Sequence, residues 1–303
     1  MAAAVLVAGS LGGGLALYRD GDTRAKSPSA ETPALVLPPA TFSSSPPAVV
    51  PLTDPGPPLA PPPAVPPGDL AASFEELGRN SSASLGMVIT PVGRSQPALR
   101  LGNWSSSGPA WSTIKVPLAI AALRHQGSTD ALIDAAITQS DNAAAETLWA
   151  SLGDPAAAAE RVQDVLSTAG DLTAVQSQRV RPGFSAFGQT QWPLVEQADF
   201  LSRAVCDPST APIFELMGRV TADQRWGLGA LPGARFKGGW GPSPDGAYLV
   251  RQIGIIDTSS GRAAVAVTAL PDSGGFADAT AALTATAEWL SQHSADIPSG
   301  PCA

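Results

Sequence analysis

The chain has 303 residues, with 26 Asp and Glu against 18 Lys and Arg, for a formal charge of −8. A nucleic-acid binder needs a basic face to neutralise phosphates, and no Lys/Arg cluster offers one, so nucleic acid is not an expected partner. Two cysteines and two histidines (Cys206, Cys302, His125, His293), with no HxH or HExxH pair, supply no zinc-type ligand set; no metal or cofactor is called for.

Residues Ala2 to Tyr18 are almost uniformly small and apolar, and Arg19 and Asp20 end the run. The stretch is shorter than the ~20 residues of a spanning helix and rich in Gly. Its terminal position and lack of a polar face favour a signal anchor or signal sequence over residues 1–26 rather than a core helix. That makes the membrane a partner through this segment and the folded part extracytoplasmic, although Arg19, Arg24 and Lys26 follow the run, which charge bias alone reads as cytoplasmic.

Residues 27–69 carry roughly half of the 30 prolines, in runs such as Pro61-Pro62-Pro63. Such a segment has too little periodic apolar surface to fold and reads as an extended spacer. The folded domain is then 70–303. Phe74 to Leu77 predicts a short helix. Leu85 to Ile89 and Ala98 to Leu101, apolar runs around Pro91-Val92-Gly93, predict a hairpin. An alanine-rich stretch from Ser112 to about Arg203 shows helical spacing broken at Gly127, Gly153 and Gly170, each suited to a helix C-terminus. Tyr248 to Ile256 and Ala263 to Leu270 predict strands, and Phe276 to Trp289 a helix. Two strands, a helical block, three strands and a helix give an α+β order, with both ends of the domain sharing one antiparallel sheet beside a helical subdomain.

The lysines are scarce: Lys26, Lys115 and Lys237 only. An amine can lose its proton inside a protein and a guanidinium effectively cannot, so the positions where lysine is kept are informative. Lys115 lies three residues after Ser112, on one helix face with it if a helix starts there, with the hydroxyl at the positive end of the dipole. The plain alternative is that Ser112 caps a helix over Val116 to Leu123. Ser140-Asp141-Asn142 precedes a strongly helical run; it is either an N-cap or a proton relay at Ser140 with an amide-binding Asn142. Lys237-Gly238-Gly239 leads into Trp240-Gly241-Pro242: a glycine-rich edge strand, or a cation facing a substrate carboxylate on backbone that a ligand can approach closely. Each motif is weak alone; the ordered set is strong. A Ser112-His125 pairing fails, since His125 sits thirteen residues along the same helix, on the order of 20 Å away. Trp104, Trp111, Trp192, Trp226 and Trp240 could line a cleft, though core packing accounts for most such residues. Cys206 and Cys302 form either one disulfide in an oxidising compartment or two separate thiols.

With these motifs the chain resembles the penicillin-recognising serine enzymes, most closely the class A β-lactamase-like domain, over residues 70 to 295. The resemblance implies Ser112 as acylated nucleophile, Lys115 as its base, Ser140 as proton shuttle to the leaving nitrogen, Asn142 as amide-binding residue and Lys237 with Gly238 and Gly239 as the carboxylate side of the cleft. It implies an oxyanion hole from the N–H groups of Ser112 and Trp240, and a Lys115 pKa lowered by burial and by Lys237. Three departures follow. Only 28 positions separate Ser112 from Ser140, about half the family interval. Gly238 stands where the family has a hydroxyl that binds the carboxylate. Gln176 to Arg181, in place of the loop bearing the deacylating glutamate, holds no carboxylate. The expected activity is acyl transfer on an amide or ester, a cell-wall peptide or a β-lactam-like small molecule, with weak deacylation. The alternative is a catalytically inactive cell-envelope binding protein on the same fold.

Overall fold

The computed structural model describes residues 67–94, 97–104 and 107–302. The expected signal segment 1–26 and residues 27–66 of the expected spacer lie outside the described residues. Helix α1 (Pro67–Asn80) opens on a proline, whose absent N–H has no partner to lose at that position. Strands β1 (Ala83–Pro91) and β2 (Leu99–Gly102) form the hairpin, with Val88 opposite Arg100. Six helices follow: α2 (Lys115–Gln126), α3 (Ala131–Thr138), α4 (Asn142–Ser151), α5 (Pro155–Thr168), α6 (Leu194–Ala204) and α7 (Ala211–Met217). Strands β3 (Arg235–Pro242), β4 (Tyr248–Thr258) and β5 (Gly261–Pro271) and helix α8 (Phe276–Gln292) complete the chain.

Local chemistry sets the helix ends. Asp130, Asp141 and Asp154 cap α3, α4 and α5 by accepting from the N–H groups of Ile133, Ala144 and Ala156/Ala157. Gly127, at φ 81°, takes the left-handed conformation that terminates α2.

The sheet is antiparallel throughout, in the order β2-β1-β5-β4-β3. As expected, the two ends of the domain meet in it: β1 runs against β5 from Ala83↔Pro271 to Pro91↔Ala263. Alternation along β5 separates two cores, because successive side chains point to opposite faces. Val265 and Val267 pack with α1 and α8 through Phe74, Leu283 and Trp289, while Ala264 and Ala266 face the helical block with Val116, Ile120 and Leu201. The fold is α+β, and β3 is left as an edge strand beside the helical block.

Cys206, two residues past α6, is disulfide-bonded to Cys302 near the C-terminus, with a Cα–Cα distance of 5.3 Å. The same tail is tied to the start of β5, where Arg262 and Gly300 exchange backbone hydrogen bonds. Among the described residues no helix is long and apolar enough to cross a membrane.

Candidate active site

From Ala110 to Ala122 every residue is buried except Ser112, which is partly exposed. The segment enters as a 3-10 turn, Trp111–Ile114, and continues as α2 from Lys115. Ser112 and Lys115 thus share one continuous helical path, with the hydroxyl one turn ahead of the amine. Trp111 sits at φ 50°, outside the region that side chains favour. Such strain persists only where the surroundings over-determine it. The contacts that hold Trp111 include Phe184, ring to ring at 5.2 Å, and Gly241, where an added Cβ would lie 2.6 Å from the indole.

Ser140, in the turn between α3 and α4, is also in the left-handed region, at φ 57°. Asp141, not Ser140, takes the N-cap of α4, so Ser140 is free of the capping role that offered its plain explanation. Lys237 Nζ donates to Ser140 Oγ at 2.7 Å and to Gly238 O at 2.9 Å. Lys115 Nζ donates to Ser140 O at 2.6 Å and Asn142 Oδ1 at 2.7 Å, and lies 3.4 Å from Ser140 Oγ. Ser112 Oγ is not among the partners of Lys115 in this resting geometry. The bond to Asn142 turns the amide oxygen inward, so its NH2 group points away from the lysine.

Two ammonium groups therefore converge on one hydroxyl, Lys115 1 % exposed and Lys237 0 %. Burial lowers the Lys115 pKa to about 8, against the opposing fields of Asp141 and Glu146. Lys237 is held well below the usual lysine value, first by burial and then by the charge of Lys115. Burial is the leading cause for both amines, and the two charges, gathered on one hydroxyl, titrate as a coupled pair.

Strand β3 is pressed against the 3-10 turn. A Cβ on Gly239 would stand 2.7 Å from Ser112 N and 2.8 Å from Thr113 N, so only glycine fits there. Gly238 faces the other way: its Cβ would meet the Trp226 ring at 3.3 Å and Trp240 at 3.5 Å. The Trp240 side chain lies on that second face, 5.5 Å from Phe276 ring to ring. Trp111 and Trp192 are buried, whereas Trp226 and Trp240 stay partly exposed.

The loop between α5 and α6 carries Asp171, a buried carboxylate occupied by Trp192 Nε1 at 2.7 Å and Thr173 N at 2.8 Å. Gln176 to Arg181 indeed brings no carboxylate. The loop presents Arg179, which donates to Glu146 on α4 at 2.9 Å. Glu146 escaped notice in the sequence, although its position four residues after Asn142, on the same helix face, was the available signal.

No family model matches the sequence, and no curated relative does. Solved structures match in fold. They include a β-lactamase from Xanthomonas campestris (TM-score 0.58, 21% identity over 74% of this chain and 97% of that one), a β-lactamase from Streptosporangium roseum (0.56, 15%, 74% and 98%), and an ancestral class A β-lactamase (0.54, 21%, 74% and 99%). The chain has a class A β-lactamase-like fold.

Proposed function

We propose that this protein is a serine acyl-transfer enzyme acting on an amide or ester, with Ser112 acylated. One observation carries the reading: two buried lysines converge on the Ser140 hydroxyl beside a partly exposed Ser112. Burying two like charges opposes folding, and apolar residues of the same volume would be at least as stable there. An amine with a pKa near neutrality is what a general base requires. Neutral Lys115 exchanges one of its present partners for Ser112 Oγ and takes its proton as Oγ attacks the carbonyl carbon. The N–H groups of Ser112 and Trp240 stabilise the oxyanion. Ser140 passes a proton to the leaving nitrogen and is reprotonated from the lysine pair, while Asn142 holds the substrate amide. Release of the acyl group is slow because Gln176 to Arg181 has no carboxylate and Asp171, elsewhere on the loop, is buried and held by Trp192 and Thr173.

The Cys206–Cys302 disulfide supports an oxidising compartment. With the N-terminal apolar segment it favours an exported, membrane-anchored or secreted protein whose substrate is a cell-wall peptide or a β-lactam-like molecule. The test is the intact mass of the full chain after exposure to a reactive β-lactam and to an activated ester. An adduct that Ser112→Ala abolishes is expected; no adduct with any of several acylating probes overturns the reading. That second outcome points to an inactive cell-envelope binding protein, which the absence of a side chain at Gly238 and of a carboxylate in Gln176 to Arg181 favours.

A further inference from the structure

On the acyl-transfer reading, the Ser112 N–H is one of the two donors to the oxyanion, and its direction is set by the peptide plane between Trp111 and Ser112. That plane turns with the Trp111 backbone, which lies in the left-handed region at φ 50°. A large side chain is disfavoured there, so the conformation lasts only while its surroundings hold it. Gly241 on β3 and Phe184 on the loop between α5 and α6 meet the indole, and a Cβ on Gly188 would stand 3.6 Å from the Trp111 carbonyl oxygen.

Arg181, half-buried on the same loop, ties these pieces together. Its guanidinium carbon lies 6.0 Å from the Trp111 ring centroid and 4.7 Å from that of Phe184, and its Nη1 donates to Pro242 O at 2.5 Å. One side chain thus reaches the residue before Ser112, that residue's ring partner, and the end of β3, two positions past Trp240. The Arg181 backbone is anchored separately: its N–H donates to Gln189 Oε1 at 2.7 Å and its carbonyl accepts from Gln189 Nε2 at 3.3 Å, with Gln189 buried. A cation over a ring is attracted by the ring's quadrupole, and the planar guanidinium can stack while an N–H at its edge still donates.

We infer that Arg181 is a positioning residue: through Trp111 and Pro242 it holds the Ser112 and Trp240 N–H groups at the spacing that receives the oxyanion. The guanidinium is engaged with a carbonyl and two rings, so it acts through protein groups and not on the substrate. A residue of this kind governs the rate of acylation more than the binding of the ester, because the negative oxygen develops only as Ser112 Oγ attacks.

The test follows acylation of Ser112 in the full chain by one activated ester over a range of concentrations, in wild type, Arg181→Met and Arg181→Lys. In Arg181→Met the limiting rate is expected to fall at least about tenfold, the half-saturating concentration staying within about twofold of wild type. Arg181→Lys keeps the charge and a donor but not the plane lying over both rings, and should remain at least about threefold slower than wild type. An unchanged limiting rate, a change confined to the half-saturating concentration, or full rescue by lysine overturns the inference. Amide hydrogen exchange in the same three proteins needs no turnover. Both variants are expected to exchange faster at Ser112 and Trp240 and no faster at Leu283, in the core on the other side of the sheet. No change at Ser112, or an equal change at Leu283, overturns the inference. A wild-type chain that forms no adduct while the exchange behaves as expected would retain the positioning by Arg181 and discard the acyl-transfer reading.

Discussion

Lys237 Nζ and Ser140 Oγ, separated by 97 positions in sequence, lie 2.7 Å apart and join the edge strand to the turn before α4. Ser140 makes this contact from a left-handed backbone, at φ 57°. The contact places Lys237 where Lys115, 3.4 Å from the same hydroxyl, disfavours its charge.

The two lysines should titrate as a coupled pair. With three lysines in the chain, 13C-labelled lysine gives three NMR signals that single substitutions assign. Lys115 is expected to titrate at about pH 8, and Lys115→Met to move the Lys237 midpoint upward by removing the like charge. A Lys237 midpoint that stays put or falls counts against the coupling.

The same displacement makes a statement about stability. Between about pH 8 and pH 10.5 the folded chain holds fewer protons at Lys115 than the unfolded chain, so stability rises with pH across that window. The increment is about 3 kcal/mol, at roughly 1.4 kcal/mol per pH unit of displacement. Urea unfolding of the full chain at the two pH values should show it on top of the rise that Lys237 contributes, and Lys115→Met should gain about 3 kcal/mol less than the full chain; equal slopes in both proteins would refute the assignment.

Much of this fold is legible in the residues because the breakers and caps are strong. Gly127, Gly170 and the capping aspartates delimit helices, and the apolar runs of β4 and β5 are long enough to leave no other reading. The site is legible for another reason: Ser112, Lys115, Ser140 and Asn142 fall in two short local motifs. What was hidden is what depends on distant chain segments. That Trp226 covers Gly238, or that Arg179 from the loop meets Glu146, follows from how β3 and α4 pack, which no local pattern encodes.

Glu146 tunes Lys115 from a distance. Its negative field raises the Lys115 pKa against burial, so Glu146→Gln should lower it below about 8 and move the acid limb of the acylation profile to lower pH. Stability should change by less than about 1 kcal/mol, since the pair with Arg179 is substantially exposed. The pH dependence of acylation by one activated ester decides the matter: a limb that stays or moves to higher pH excludes the field of Glu146.

The adjacent glycines of β3 should respond differently to a single methyl group. At Gly239 the added Cβ meets the backbone of Ser112, Thr113 and Ala110 at 2.7 to 2.9 Å, and backbone cannot swing aside. Gly239→Ala is expected to displace the 3-10 turn, to cost about 1 to 3 kcal/mol and to lower acylation at least a hundredfold. At Gly238 the neighbours are ring edges at 3.3 to 3.5 Å, which can yield slightly, so Gly238→Ala should keep most of both. Equal effects at the two positions would contradict the packing of β3 on Ser112.

Arg251 holds the entry to the site from below. Fully buried on β4, it donates to Gly108 O at 2.8 Å, Pro109 O at 2.9 Å and Trp192 O at 2.9 Å, clamping the segment that leads into Ser112 against the one that precedes α6. Ala110 N donating to Thr190 O at 2.8 Å continues the same junction. Met at this position fills the volume and leaves Pro109 O without its donor, while Gly108 O keeps Trp192 N and Trp192 O keeps Gln197 Nε2. An unsatisfied buried acceptor costs about 1 to 3 kcal/mol, so Arg251→Met should lose roughly that amount in urea unfolding. Lysine keeps the charge but not the planar fork that reaches three carbonyls at once, and should recover less than half of the loss. A deficit under about 1 kcal/mol for the Met variant would show that the junction stands without Arg251.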